Sequence, residues 1–281
     1  MSREVRTIMP YSTVDIEEIK TIALGAGEII MKIYAQEFEV DYKKDNSPLT
    51  LADTKSNEYI CKQLKEKYPH IPIMSEENKQ TDYEIRKNWK CYWCVDHIDG
   101  TKEFVKKTGE FTVNIALIFQ NEPVLGVVYA PAIGELYYAK KNEGAFKTLL
   151  DKNKQAIQTN QLPIRQNHHL EEKIVVVASV SHLSEETQDF IDTLAKKTKK
   201  LTTSSKGSSL KLCMIASGQA DVYPRLAPTM EWDTAAADAV VREAGKCSYI
   251  YTDSFDFFDL KKQTPLKYNK QDLLNPWFVV C

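Results

Sequence analysis

The 281-residue sequence has no stretch approaching 18 consecutive apolar residues, which excludes an ordinary membrane-spanning helix. Its first residues, Met-Ser-Arg-Glu-Val-Arg, are charged and lead into no apolar run, so no signal peptide is expected and the chain reads as cytoplasmic. An excess of charge is also missing, because 37 Lys and Arg against 39 Asp and Glu leave a formal net charge of −2. Without a whole-molecule field, neither nucleic acid nor an acidic membrane is an expected partner; a local basic pocket remains compatible. Cysteine is sparse: six are scattered through a chain too large to need disulfide staples. Cys91 and Cys94 form a C-x-x-C, but no second Cys pair and no His pair at zinc-ligand spacing accompanies them. Residues three apart on a strand point to opposite faces, so two buried free thiols are a better account than a zinc or redox site.

What is present is ordinary globular material, 43% hydrophobic and 27% charged, enough to bury a large core. Residues 13–36 carry Ile16, Ile19, Ala23, Ala26, Ile30 and Ile33 at helical spacing, with Ser12 or Thr13 as the expected cap. A second helix is expected from Thr50–Asp53 to Lys67, where Tyr68-Pro69 stops it. Residues 111–119, 123–130 and 135–139 read as consecutive strands joined by turns. Residues 142–172 are polar, and a domain crossover is expected there, giving parts 1–155 and 156–281. The second part alternates strand and helix: strand 173–179, helix 184–197, strand 201–205, a helix opened by residues 206–211, strand 220–223 and a last helix from Glu231 to Gly245.

The stretch Cys91–Phe104, C-Y-W-C-V-D-H-I-D-G-T-K-E-F, carries the clearest chemistry. Its aromatic and β-branched opening favours a strand. Asp96 and Asp99 then flank a two-residue bend, followed by Gly100 and Thr101. Two carboxylates this close do not both stay ionised in a poorly solvated site unless a cation neutralises them, and Mg²⁺ favours such oxygen ligands. Gly100 permits a tight turn and close approach of a ligand. A plain strand-ending turn accounts for Asp-Gly equally well.

Other candidates have equally bland readings when taken alone. Asp53, in a first helical turn, serves as a dipole partner or cap. Glu76 and Glu77 follow the short apolar strand 71–74 and could be a solvated turn. Gly207-Ser208-Ser209 precedes a helix, where backbone N–H groups lack internal partners and can bind an anion. Arg225 suits a phosphate or a surface salt bridge, and Asp233 suits a helix N-terminus.

The run W-x-V-D-x-I-D-G-T-K-E-F, with K-D-N-S-P-L-T-L-A-D, S-E-E, G-S-S-L-K-x-C and W-D-T-A-A in order, resembles the inositol monophosphatase superfamily over nearly the whole chain. The Lys102-Glu103-Phe104 ending and the 207–211 block resemble its 3′(2′),5′-bisphosphate nucleotidase branch. The resemblance implies the layered α/β/α/β/α sandwich of the inositol monophosphatase and fructose-1,6-bisphosphatase fold. Residues 1–155 would form a metal-binding α+β part and 156–281 a substrate-binding α/β part, with the site between them. It implies two or three Mg²⁺ ions held by Glu76, Asp96, Asp99, Asp233 and the Ile98 carbonyl. Asp53 and Thr101 would orient and deprotonate the attacking water, with no covalent phosphoenzyme. Gly100, Thr101, Ser208, Lys211 and Arg225 would contact phosphate, and His182 would lie near a purine.

The implied activity is lithium-sensitive removal of the 3′-phosphate of 3′-phosphoadenosine 5′-phosphate (PAP), with its 5′-phosphosulfate analogue and inositol 1,4-bisphosphate as further candidate substrates, in sulfur metabolism. An inositol (poly)phosphate 1-phosphatase or inositol monophosphatase shares every metal motif and stays open. So does a catalytically silent phosphate-binding homologue, because His97 stands where relatives usually carry proline. Histidine loosens that loop and adds a titratable group beside the carboxylates.

Overall fold

The computed structural model describes residues 10–42, 48–165, 169–178 and 184–281. In chain order the first part comprises α1 (Ile16–Tyr34), β1 (Val40–Tyr42), β2 (Pro48–Thr50), α2 (Leu51–Lys67), β3 (Ile73–Ser75), α3 (Tyr83–Arg86), β4 (Cys91–Asp99) and α4 (Thr101–Val105). A meander follows, made of β5 (Thr112–Phe119), β6 (Glu122–Ala130), β7 (Glu135–Lys140), β8 (Gly144–Leu150) and β9 (Ala156–Gln161). The remainder runs β10 (Ile174–Ala178), α5 (Glu185–Ala195), β11 (Leu201–Ser205), α6 (Leu210–Ala216), β12 (Tyr223–Arg225), α7 (Glu231–Glu243), β13 (Ser248–Ile250) and β14 (Phe278–Val280).

Strands β3 to β9 form one seven-stranded sheet in sequence order. The β3–β4 pair is parallel and every later pair antiparallel. Because strand side chains alternate between faces, each strand feeds two cores. Trp93 and Val95 pack with Ile19, Ile22 and Ile30 of α1 and Ile60 and Leu64 of α2. Tyr92 and Cys94 pack on the opposite face with Cys213 of α6 and Ala236 and Val240 of α7. Helices α6 and α7 are then covered by a second β layer, in which β10 and β11 pair in parallel and β12, β14 and β13 form a three-stranded sheet. Ile174 and Val176 of β10 face outward onto Phe190, Ile191 and Leu194 of α5. The order helix, sheet, helix, sheet, helix is the sandwich expected.

Several local expectations change. Asp15, rather than Ser12 or Thr13, caps α1, its Oδ1 accepting from the Glu17 N–H at 2.9 Å. The supposed bend between Asp96 and Asp99 is a continuation of β4 with a bulge, since Asp96 pairs with Asn114 and Asp99 with Thr112. A bulge inserts one unpaired residue and re-aims side chains. The polar stretch expected as a crossover contains β8 and β9, which extend the large sheet; β9 begins at Ala156 and pairs with β8, so the sheet runs past position 155. Strand β12 starts three residues later than expected, and Val222 makes only a parallel bridge to Val176.

Cys91 packs with the α1–α2 core and Cys94 with the α6–α7 core, as strand alternation requires. Burial pushes the Cys91 thiol up to about 11 and the Cys94 thiol far up, so neither is favoured as a thiolate near neutral pH; Cys91, expected to be buried, is only half-buried.

Packing across the sheet is tight. A Cβ on Gly126 of β6 would stand 2.1 Å from the Ala236 carbonyl oxygen, so α7 lies directly on that strand only because the position has no side chain.

Candidate active site

Four backbone ends converge on the carboxylates. The C-terminal ends of the parallel strands β3 and β4 deliver Glu76, Asp96 and Asp99, while the first turns of α2 and α7 deliver Asp53 and Asp233. Both helix residues are local caps as well. Asp53 Oδ2 accepts from the Thr50 N–H at 2.7 Å and from the Thr50 hydroxyl at 2.6 Å. Asp233 Oδ2 accepts from the Met230 N–H at 2.8 Å. A carboxylate has two oxygens, so capping a helix and facing a site do not compete.

Carboxylate oxygens of Asp96, Asp99 and Asp233 all lie within 4.8 Å of one another, and Glu76 and Asp96 stand equally close to a ring nitrogen of His97. Among the described residues no lysine or arginine forms an ion pair with Asp96, Asp99 or Asp233. Burial first, then repulsion from Glu76 and Asp99, pushes the Asp96 carboxyl far above its ordinary range. Burial and Asp99 push Asp233 up to about 8. An anionic, oxygen-rich cluster of this kind fits a hard divalent cation, which would remove both effects.

Thr101 opens α4. Its Oγ1 lies 3.4 Å from Asp53 Oδ1 and 3.3 Å from the Ile98 carbonyl oxygen. Burial would raise Asp53, but the neighbouring His97 imidazole and the Thr50 donors outweigh it and hold the carboxyl below its usual value. Gly100 precedes Thr101 with φ of 91°, a left-handed conformation that disfavours any side chain.

Asp99 and Asp233 also line a cavity of about 150 Å³ whose walls include Lys102, Ser208, Lys211, Tyr223 and Arg225. Three of these are cations. Arg225 Nη2 donates to the Pro228 carbonyl at 2.7 Å, while its Nε is buried with no hydrogen-bond partner among the described residues. Lys211 is 7% exposed and donates to the carbonyls of Lys206 at 3.1 Å and Ser208 at 2.8 Å, bracing the turn before α6. Burial pushes its ammonium pKa down. Ser208 donates to Asp99 Oδ2.

The structure therefore brings together Asp53, Glu76, Asp96, Ile98, Asp99, Gly100, Thr101 and Asp233 on one side, and Ser208, Lys211 and Arg225 on the other. His182 lies outside the described residues. Lys102 and Tyr223 join the cavity without having been singled out as contacts. Lys102 stands inside the conspicuous sequence run, whereas nothing local marks Tyr223.

This layering and this acidic cleft are those of a phosphoric monoester hydrolase. The chain belongs to the inositol monophosphatase family, whose family model matches residues 11–275. It is similar to the 3′(2′),5′-bisphosphate nucleotidase CysQ of Salmonella typhimurium, at 42% identity over 82% of this chain and 88% of the relative. The CysQ of Escherichia coli O157:H7 is 39% identical over 94% and 98% of the two chains. Among solved structures, CysQ from Bacteroides thetaiotaomicron superposes with a TM-score of 0.79 at 43% identity, covering 94% of this chain and 95% of that one.

Proposed function

We propose that this chain is a Mg²⁺-dependent, lithium-sensitive phosphatase that removes the 3′-phosphate of 3′-phosphoadenosine 5′-phosphate, giving AMP and phosphate. The observation that carries the reading is that Asp99 and Asp233 belong both to the carboxylate cluster and to the wall of a cavity lined by Lys102, Lys211 and Arg225. A doubly phosphorylated small molecule needs both, a centre that reacts at one phosphate and cations that hold the other.

Glu76, Asp96, Asp99, Asp233 and the Ile98 carbonyl would hold Mg²⁺, which when bound neutralises charge on the phosphoryl and leaving oxygens. Asp53 Oδ1 and Thr101 Oγ1 orient the attacking water and accept its proton. Gly100 and Thr101 offer backbone N–H groups to the reacting phosphate. Arg225, with its unpartnered Nε, and Ser208 take the second phosphate, and Lys211 supplies charge while holding the turn rigid. The cavity draws residues 99–103 from one part of the chain and 208–278 from the other. That supports a division into an N-terminal metal-binding part and a C-terminal substrate-binding part.

Phosphate release from 3′-phosphoadenosine 5′-phosphate and from inositol 1,4-bisphosphate, measured side by side with Mg²⁺ and then with added Li⁺, tests the reading. Lithium-inhibited release mainly from the nucleotide is expected. Release mainly from the inositol would keep the metal chemistry and overturn the substrate. No release from either would favour a silent homologue. The 5′-phosphosulfate analogue belongs in the same assay.

A further inference from the structure

His97 sits at the β4 bulge with no solvent exposure, and neither ring nitrogen has a hydrogen-bond partner among the described residues. Buried polar atoms are normally satisfied, and leaving two unpaired is costly. The Nε2 atom is directed at two acids, 3.5 Å from Asp53 Oδ1 and 3.8 Å from Glu77 Oε1. Those separations are long for hydrogen bonds. They match the spacing of ligands around one ion, because donors about 2.0–2.2 Å from a shared metal stand about 3–4 Å from each other. Ligand atoms of Asp53, Glu77 and His97 all lie within 4.8 Å of one another.

This trio is chemically unlike the Asp96–Asp99–Asp233 cluster. That cluster offers only oxygen, as Mg²⁺ prefers. The trio adds an imidazole, which favours first-row transition ions such as Zn²⁺. Asp53 can serve it because Oδ2 is occupied by Thr50 while Oδ1 faces His97.

We propose that His97, Asp53 and Glu77 form a second site for a nitrogen-accepting first-row divalent cation, one that abuts the all-oxygen cluster, since Glu76 and Asp96 also approach a His97 ring nitrogen. The inference rests on the proposed phosphatase reading in treating this region as a cation centre. An ion there takes Asp53 Oδ1, the oxygen that faces the Thr101 hydroxyl and is assigned to accept the water's proton, so occupancy of this site opposes turnover rather than aiding it.

The test is Mn²⁺ titrated into chelator-stripped full-length protein, with bound ions counted by electron paramagnetic resonance and nitrogen ligation read from pulsed-resonance coupling to ¹⁴N. The expected result is imidazole-nitrogen coupling in the wild type, lost in His97→Gln and His97→Pro together with one bound ion. Glu77→Gln, a near-isosteric change at a half-buried position, should weaken the nitrogen-coupled ion about tenfold or more and leave the others in place. Mn²⁺ bound without nitrogen coupling, together with Zn²⁺ bound no more weakly by His97→Gln than by the wild type, would overturn this site and leave the proposed function standing, with His97 then a neighbour of Asp53 only. Coupling that persists in both His97 variants would assign it to another histidine and overturn it as well. Absence of any Mn²⁺ binding would defeat both this inference and the metal mechanism.

Discussion

The Oδ2 atom of Asp99 accepts a hydrogen bond from Ser208 Oγ at 2.6 Å, across 109 residues of chain. Ser209 Oγ, with one proton to give, lies 2.9 Å from the same oxygen and 2.7 Å from the Asp233 carbonyl, two acceptors between which its hydroxyl chooses. One carboxylate oxygen thus ties the end of β4 to the turn before α6. Ser208 itself has φ of 55°, a conformation held by these contacts and by the 2.5 Å approach of Thr112 Oγ1. Hydrogen bonds to charged groups contribute about 1.5–3 kcal/mol. Ser208→Ala should therefore lower the melting temperature by several degrees and, by freeing the Asp99 carboxylate from its place in the cleft, lower kcat/KM roughly 10- to 100-fold. Steady-state phosphate release and a thermal melt on the same preparation decide it; an unchanged kcat/KM would remove Ser208 from the site.

Asp53→Asn should separate chemistry from folding. The amide oxygen still accepts from Thr50, so the α2 cap survives, while the group facing Thr101 can no longer take a proton. The expected outcome is kcat lower by about 100-fold or more, KM within a few-fold, and a melting temperature within a few degrees of wild type. A large loss of stability with normal kcat would reduce Asp53 to a cap.

The metal-free protein should lose stability as pH rises. Asp233 has a folded pKa pushed up to about 8, above its value of 3.8 in the unfolded chain, so the folded state holds the proton more tightly. Its contribution is complete below about pH 4 and is lost as pH climbs through about 8. Melting in chelator across that window should show the decline, Asp233→Asn should flatten it, and Mg²⁺ should raise the melting temperature more at pH 8 than at pH 5. A Mg²⁺ increment independent of pH would contradict the assignment of Asp233 to the cation cluster.

Gly126→Ala tests the packing of α7 on the sheet. The added methyl would meet the backbone carbonyl of Ala236, which cannot rotate away. A loss of about 1–3 kcal/mol is expected from such overpacking, read as a lower denaturant midpoint. Because α7 carries Asp233, cation affinity should fall with it; a neutral substitution would mean that the helix can shift freely.

Some features of this protein are written in short spans of sequence. The spacing of Ile19, Ala23, Ala26 and Ile30 defines the buried face of α1, and the apolar run before Asp96 defines β4. Such signals are local because they depend on helical and strand periodicity. The acids Asp53, Glu76, Asp96, Asp99 and Asp233 were legible as candidates through their motif resemblance. Residue type and spacing alone left each compatible with a turn or a cap. Strand β9 was not legible, since Ala156–Gln161 is exposed along most of its length and carries no apolar alternation. It is a strand because β8 offers it a free edge.

The sequence by itself determined which residues carry carboxylate, hydroxyl and guanidinium groups, and which helices and strands present them. Only the tertiary structure decided their partners. It set Ser208 on Asp99, aimed His97 at Asp53 and Glu77, and turned Lys211 back onto its own turn. The reason is physical. Periodicity fixes the face on which a side chain emerges, but contacts across 100 residues are fixed by how close the layers pack. Here that closeness depends on the bare backbone of Gly126 beneath α7 and on the single-residue bulge in β4.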